Sequence, residues 1–144
     1  MSYLKKVSDD LSISGQVSSE ELKQLAMAGF QSVLNLRSPD EYGFVLDEKQ
    51  QAQIAGLEYV NIPLNSHVPN QELTTEAIQA IENLPKPILI HCAGSARAGG
   101  VALISEAIKT GLTYEEITQK AKELGINLEQ PHLKDFLLEK FAVK

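Results

Sequence analysis

The sequence predicts an α/β domain, a three-layer sandwich in which helices flank a mostly parallel central sheet of about four to five strands. Three observations predict it. Short apolar runs, "LSISGQ", "QSVLNLR", "LEYVNIPL" and "ILIHC", recur along the chain. Longer segments with helical apolar spacing lie between them. Turn and capping residues stand at the boundaries, and strands alternating with helices imply parallel pairing through crossovers.

"LSISGQ" is a short first strand closed by Gly15. Ser18 and Glu21 form a capping-box pattern ahead of "EELKQLAMAG", and Gly29 stops that helix. "QSVLNLR" carries Val33, Leu34 and Leu36 as a buried strand does. "SPDEYG" turns the chain, and a polar helical segment follows around Leu46 to Ala55. "LEYVNIPL" is the next core strand, ended by Pro63. "NSHVPN" reads as loop, with Asn70 capping "QELTTEAIQAIENL". Pro85 and Pro87 bracket the break before "ILIHC", the most apolar strand. "GGVALISEAIKTG" is a helix stopped by Gly111, and Thr113 with Glu116 caps "YEEITQKAKELG". A last amphipathic helix, "HLKDFLLEKFA", follows Pro131.

With no repeat and no linker-like stretch, the 144 residues read as a single domain over 1–144. The formal net charge of -6 argues against a nucleic-acid partner, whose phosphates need a basic surface. No run approaches the ~18 apolar residues of a membrane helix. One cysteine makes no internal disulfide, which fits a reducing cytoplasm. His67, His91 and His132 are far apart in sequence, so no metal is expected, and with no GxxxxGK[ST] or GxGxxG pattern no nucleotide or nicotinamide cofactor is expected either. The oligomeric state is not encoded in any pattern we read.

In open α/β sheets ligands bind beyond the carboxyl ends of the strands. Cys92 stands there, followed by Ala93, Gly94, Ser95, Ala96 and then Arg97. Small side chains let backbone N–H groups converge on one point, and a helix N-terminus adds positive potential. Both features hold oxyanions and favour a thiolate. Arg97 would close the concavity with a planar fork suited to a tetrahedral oxyanion. The competing reading is a buried, inert thiol in an ordinary strand-to-helix turn, with Arg97 capping or solvated and His91 a packed strand-end histidine.

With "ISGQVSSEELKQLAMAGFQSVLNLRSPDE", "YVNIPLNS" and "ILIHCAGSARAGGVALI", the chain resembles the cysteine-dependent protein tyrosine and dual-specificity phosphatases over roughly Leu11 to Gly125. Within them it is most similar to a small bacterial branch that includes the phosphatase-like domain of beta-lactamase-hydrolase-like proteins. The resemblance implies a protein-tyrosine-phosphatase-like fold and a phosphocysteine intermediate on Cys92. It implies that Ala93 to Ala96 and Arg97 bind the substrate phosphate, and that His91 assists ionisation of the thiol. The substrate expected is a phosphorylated protein or a small aryl phosphate.

Three features depart from the wider superfamily. Four residues rather than five separate Cys92 from Arg97. Ala98 stands where a hydroxyl residue commonly helps turnover, with Ser95 as the candidate substitute. No Asp or Glu occurs between Glu58 and Glu72, where the general acid would be expected. His67 and Asp40 are the candidate acids, with Glu41 beside Asp40, although turn-forming is the plainer role for "PDE". Arg37 reads as a surface residue.

Two alternatives remain at this point. A rhodanese-like sulfurtransferase also uses a strand-end cysteine and this four-residue gap, and "LNLRSPDEY" is faintly similar to it, but "QQAQIAGLEYV" lacks its "GH" turn. A binding module that keeps the pocket without turnover would explain Ala98 and the missing acid.

Overall fold

The computed structural model describes residues 3–64 and 71–141. The expected strands appear as β2 (Leu11–Ser14), β3 (Ser32–Asn35), β4 (Glu58–Asn61) and β5 (Ile88–His91). A two-residue edge strand, β1 (Lys5–Lys6), precedes them. The sheet order is β1-β2-β5-β3-β4, with β1 antiparallel and the remaining neighbours parallel. β5 is therefore central. Its backbone is in register with Ser12–Leu89 on one side and Val33–Leu89 on the other.

The helices are α1 (Ser19–Met27), α2 (Glu48–Ile54), α3 (Gln71–Asn83), α4 (Ala96–Thr110), α5 (Tyr114–Leu124) and α6 (Pro131–Lys140). Both capping boxes form as the sequence predicts, Ser18 with Glu21 and Thr113 with Glu116. Period-two alternation divides the strand residues between two cores. Val33 and Leu89 pack with Leu22 and Leu25 of α1 and Ala52 of α2. Leu34, Ile88 and Ile90 pack against Ala77, Leu103, Ile117 and Leu133 of the other four helices. Two helices on one face and four on the other complete the three layers.

α4 begins earlier than its glycines lead one to expect. Helical geometry starts at Ala96, so Arg97 and Ala98 belong to its first turn. Gly99 and Gly100 lie inside the helix, packed close to the segment that follows α5. A Cβ on Gly99 would stand 2.8 Å from Ile126 Cγ1, and one on Gly100 2.8 Å from Gln130 Oε1. The proposed Asn70 cap and the "NSHVPN" loop lie outside the described residues. No helix among the described residues is long and apolar enough to cross a membrane.

Candidate active site

Because β5 lies between β2 and β3, the chain leaves it flanked by two other strand ends. Leu36 N–H donates to His91 O (2.9 Å), Cys92 N–H to Ser14 O (3.4 Å) and Gln16 N–H to Ala93 O (3.1 Å). The last contact requires a glycine: a Cβ on Gly15 would stand 2.7 Å from Ala93 O. Sequence and topology together thus hold His91, Cys92 and Ala93 rigidly at the carboxyl edge of the sheet.

Beyond Ala93 the backbone turns into α4 through Ser95, the N-cap, whose φ of 80° lies in the left-handed region. A non-glycine residue held there is costly, and such strain collects at functional turns. The turn leaves the N–H groups of Ala93, Gly94, Ser95, Ala96 and Arg97 without an acceptor among the described residues. Ala93, Gly94 and Ala96 are exposed, at the N-terminus of a 15-residue helix. Ala98 N–H, also in the first turn, donates to Cys92 Sγ at 3.5 Å. The cysteine itself is 1% exposed, at the floor of this turn.

Arg97 is buried and its guanidinium is held at one end. Nη1 donates to Glu41 Oε2 (2.6 Å) and Leu64 O (2.8 Å), and Nη2 donates to Glu41 Oε1 (2.8 Å). Nη1 also reaches Leu36 O at 3.3 Å. The hydrogen bond from Arg97 holds the Glu41 carboxyl at about 2, against an opposing push from burial. Glu41 in turn raises Arg97, with the nearby Cys92 sulfur adding to the rise. The structure therefore brings Cys92 and Arg97 together, with Glu41 as the carboxylate that braces the arginine.

Arg37 is a correction to the sequence reading. It is 4% exposed, not a surface residue, and it is fully engaged. It donates to Gln16 Oε1 (2.7 Å), Gly43 O (3.0 Å), Tyr42 O (2.5 Å) and Glu41 Oε1 (3.3 Å). The physical reason is the turn after β3: it curls over Arg37 and offers it backbone carbonyls that no residue pattern announces. Asp40 is exposed on that turn, while its neighbour Glu41 points inward to Arg97. His67 lies outside the described residues.

His91 is fully buried, as a packed strand-end histidine would be, yet both ring nitrogens have polar partners. Nδ1 lies 3.3 Å from Cys92 O, and Nε2 lies 2.6 Å from Glu48 Oε2. Glu48 sits at the start of α2 and is 1% exposed. Sequence reasoning missed Glu48 and Gln16, and it offered Glu41 only as a candidate acid beside Asp40, whereas the structure turns its carboxylate onto Arg97. Glu48 lies in a segment whose polarity signals a solvated helix, and "SGQ" marks only the end of a strand.

The chain has recognisable relatives. A sequence profile for the phosphatase-like domain of beta-lactamase hydrolase-like proteins matches residues 3–109. The beta-lactamase hydrolase-like protein of Agrobacterium fabrum is 26% identical over 127 residues, covering 85% of this chain but 29% of its own length. The chain thus spans less than a third of that relative, as the 29% figure gives. Among solved structures, a putative phosphatase from Shewanella putrefaciens superposes with a TM-score of 0.82 at 23% identity, covering 97% of this chain and 91% of that one. Tk-PTP in its active form superposes with a TM-score of 0.79 at 24% identity, covering 95% of each chain. At these identities the superpositions establish the fold. The profile match over most of the chain establishes kinship: the protein belongs to the family of phosphatase-like domains found in beta-lactamase hydrolase-like proteins, on the fold of the tyrosine and dual-specificity phosphatases.

Proposed function

We propose that the domain hydrolyses phosphate monoesters, with aryl phosphates such as phosphotyrosine as its best substrates, through a phosphocysteine on Cys92. One observation carries the reading: the amides of residues 93–97, on the turn that leads from Cys92 into α4, have no acceptor among the described residues. Backbone donors left open on a turn of small residues at a helix N-terminus form an anion seat. In this reading Cys92 attacks phosphorus as a thiolate, the phosphorus–oxygen ester bond breaks, and the leaving oxygen departs with the electron pair. Water then attacks phosphorus, releasing inorganic phosphate and restoring the thiolate. The amides and Arg97 stabilise the equatorial oxygens of both transition states.

The preference for aryl esters follows from proton supply. Glu41 is held ionised well below neutral pH by Arg97, so it has no proton to give a leaving group. Asp40 and His67 remain the proposed acids, the former exposed on the turn beside Glu41. A phenolate leaves without much help from an acid, whereas an alkoxide does not.

A second reading, oxyanion binding without turnover, is favoured by the 1% exposure of Cys92 and by the occupation of both Arg97 Nη groups by Glu41. Hydrolysis of p-nitrophenyl phosphate and sulfur transfer from thiosulfate to cyanide, each beside a Cys92→Ser control, separate the cases. Phosphatase activity abolished by the substitution, with vanadate binding retained, supports hydrolysis. Vanadate binding with no turnover above the control supports the binding module, and sulfur transfer alone supports the rhodanese-like alternative.

A further inference from the structure

α4 is buried from Arg97 to Ala107, and two polar residues lie near the end of that stretch, Ser105 and Glu106. Each is 7% exposed. Neither side chain makes a hydrogen bond among the described residues. Thr110 Oγ1 donates at 2.7 Å to the backbone carbonyl of Glu106, not to its carboxylate. A carboxylate taken out of water without a partner is among the costlier arrangements a fold can hold. An apolar residue would serve that helix face better if packing were the only demand.

Both residues line a cavity of about 290 Å³. Leu11, which also lines it, opens β2 in register with Ile88, so the cavity lies at the amino edge of the parallel strands. Cys92 stands at the opposite edge, and about 14 Å of helix rise separates Glu106 from Arg97. The cavity is therefore distinct from the catalytic loop. Its apolar wall is Leu11, Ile81 and Ile108, the last 49% exposed.

Charge decides what such a cavity accepts. The two lysines that line it are already engaged. Lys109 Nζ pairs with Asp10 Oδ2 at 3.0 Å, and Lys86 Nζ donates to the carbonyls of Glu82 (2.8 Å) and Leu84 (2.9 Å). Asp10 is the main cause that raises Lys109, with Glu106 adding less. The carboxylates of Glu82 and Glu106 are left with no hydrogen bond or ion pair among the described residues. α4 ends at Thr110, so the negative end of its dipole lies on the same side. A neighbouring cavity of about 370 Å³ shares Glu82 and Ile108, but its own acids, Asp135 and Glu139, are half-buried and exposed.

We propose that the cavity beside Ser105 and Glu106 binds a small organic cation, a primary ammonium carried on a short apolar body. An ammonium has three N–H donors and no acceptor, which suits Glu106 and Ser105 within and Glu82 at the exposed rim. Leu11, Ile81 and Ile108 take the apolar body. An anion would meet uncompensated carboxylates, and the volume lies at the low end of ligand cavities, about 300–1,000 Å³.

The test is a titration of the 15N-labelled full chain with benzylamine, beside benzyl alcohol, which keeps the ring and lacks the charge. Saturable amide shifts at Ile81, Ser105, Glu106 and Ile108 are expected. Benzylamine should bind about tenfold more tightly than the alcohol, the difference that a charge-assisted hydrogen bond makes. Glu106→Gln keeps the shape of the side chain, so it should weaken benzylamine about tenfold and leave the alcohol unchanged. Equal affinities in the wild type overturn the proposal without needing any variant to fold. Shifts confined to Asp135 and Glu139 overturn it by placing the amine in the neighbouring cavity. A folded Glu106→Gln protein that binds benzylamine as the wild type does overturns it as well. Phosphoryl chemistry plays no part in this readout, so failure of the phosphatase reading leaves the result untouched.

Discussion

Arg97 and Glu41 meet fork to fork, Nη1 on Oε2 at 2.6 Å and Nη2 on Oε1 at 2.8 Å, although 56 positions separate them in sequence. The pair joins the first turn of α4 to the turn after β3. Through Arg37, which also touches Glu41, it continues to Gln16, Glu48 and His91. The two residues assigned chemistry on either side of the loop, His91 and Arg97, are thus linked by side chains that never enter the loop. Charge-assisted, two-point contacts of this kind fix orientation as well as position.

Acid titration of stability reads this pair directly. The Glu41 carboxyl, ordinarily at 4.5, is lowered to about 2 by Arg97. A lowered carboxyl stabilises the fold above its unfolded value and loses that contribution as pH falls through the folded one. Urea unfolding should therefore show stability declining between pH 4.5 and about 2. In Glu41→Gln this decline should be shallower, and stability at neutral pH should be lower by about 1–3 kcal/mol. An unchanged acid limb in that variant would show that the pair does not persist in solution.

Arg97→Lys tests whether charge alone suffices. Lysine keeps the cation but cannot hold Glu41 at two points while offering a second edge to a phosphoryl group. Under the proposed mechanism, kcat/KM for p-nitrophenyl phosphate should fall about 100- to 1,000-fold, with vanadate affinity falling in parallel. Activity within a few-fold of wild type would mean that the guanidinium is not used in the transition state.

Local signals explain which parts of this architecture were legible. Ser18 with Glu21 and Thr113 with Glu116 cap helices through contacts three residues apart, which a sequence displays openly. The alternation around Val33 and Leu34, and the run from Ile88 to Ile90, report burial against two separate cores. Cys92 at a strand end, ahead of small residues and an arginine, placed the candidate site. What stayed hidden depends on distant partners or on backbone shape. Glu48 reaches His91 across 43 positions, and nothing in "DEKQQAQ" distinguishes it from its solvated neighbours. Arg37 is buried because carbonyls of Tyr42 and Gly43 turn toward it, and carbonyls have no signature among residue types. β1, two exposed lysines, offers no apolar pattern at all.

Ser95 offers a stability gain that discriminates between two roles. Its φ of 80° strains an L-residue, whereas glycine adopts that geometry freely. Ser95→Gly should raise stability by about 1 kcal/mol in thermal or urea unfolding. If the hydroxyl substitutes for the one Ala98 lacks, the same variant should also accumulate phosphoenzyme, visible as a larger burst of p-nitrophenol. A burst unchanged from wild type would remove Ser95 from turnover while leaving the strain argument intact.

The two glycines nearest the nucleophile should behave oppositely. Gly15 lies where β2 ends against the loop, and a Cβ there would stand 2.7 Å from Ala93 O, a backbone atom that cannot rotate away. Gln16 N–H donates to the same oxygen at 3.1 Å, so relieving the clash also loosens that hydrogen bond. Gly15→Ala should therefore lower stability by about 1–3 kcal/mol and shift Ala93, the first residue of the proposed cradle. Phosphatase activity should fall by more than the folded fraction accounts for, because a displacement of about 1 Å at a reacting centre costs about 100-fold. Gly94 is one residue further on and has open space: a Cβ added there would meet nothing within 4 Å. Gly94→Ala should change stability by less than about 0.5 kcal/mol. Comparing the folded variants by vanadate binding isolates the cradle from the fold. Equal losses of binding in both would show that the loop responds to added bulk anywhere, and that Gly15 has no special bearing on Ala93.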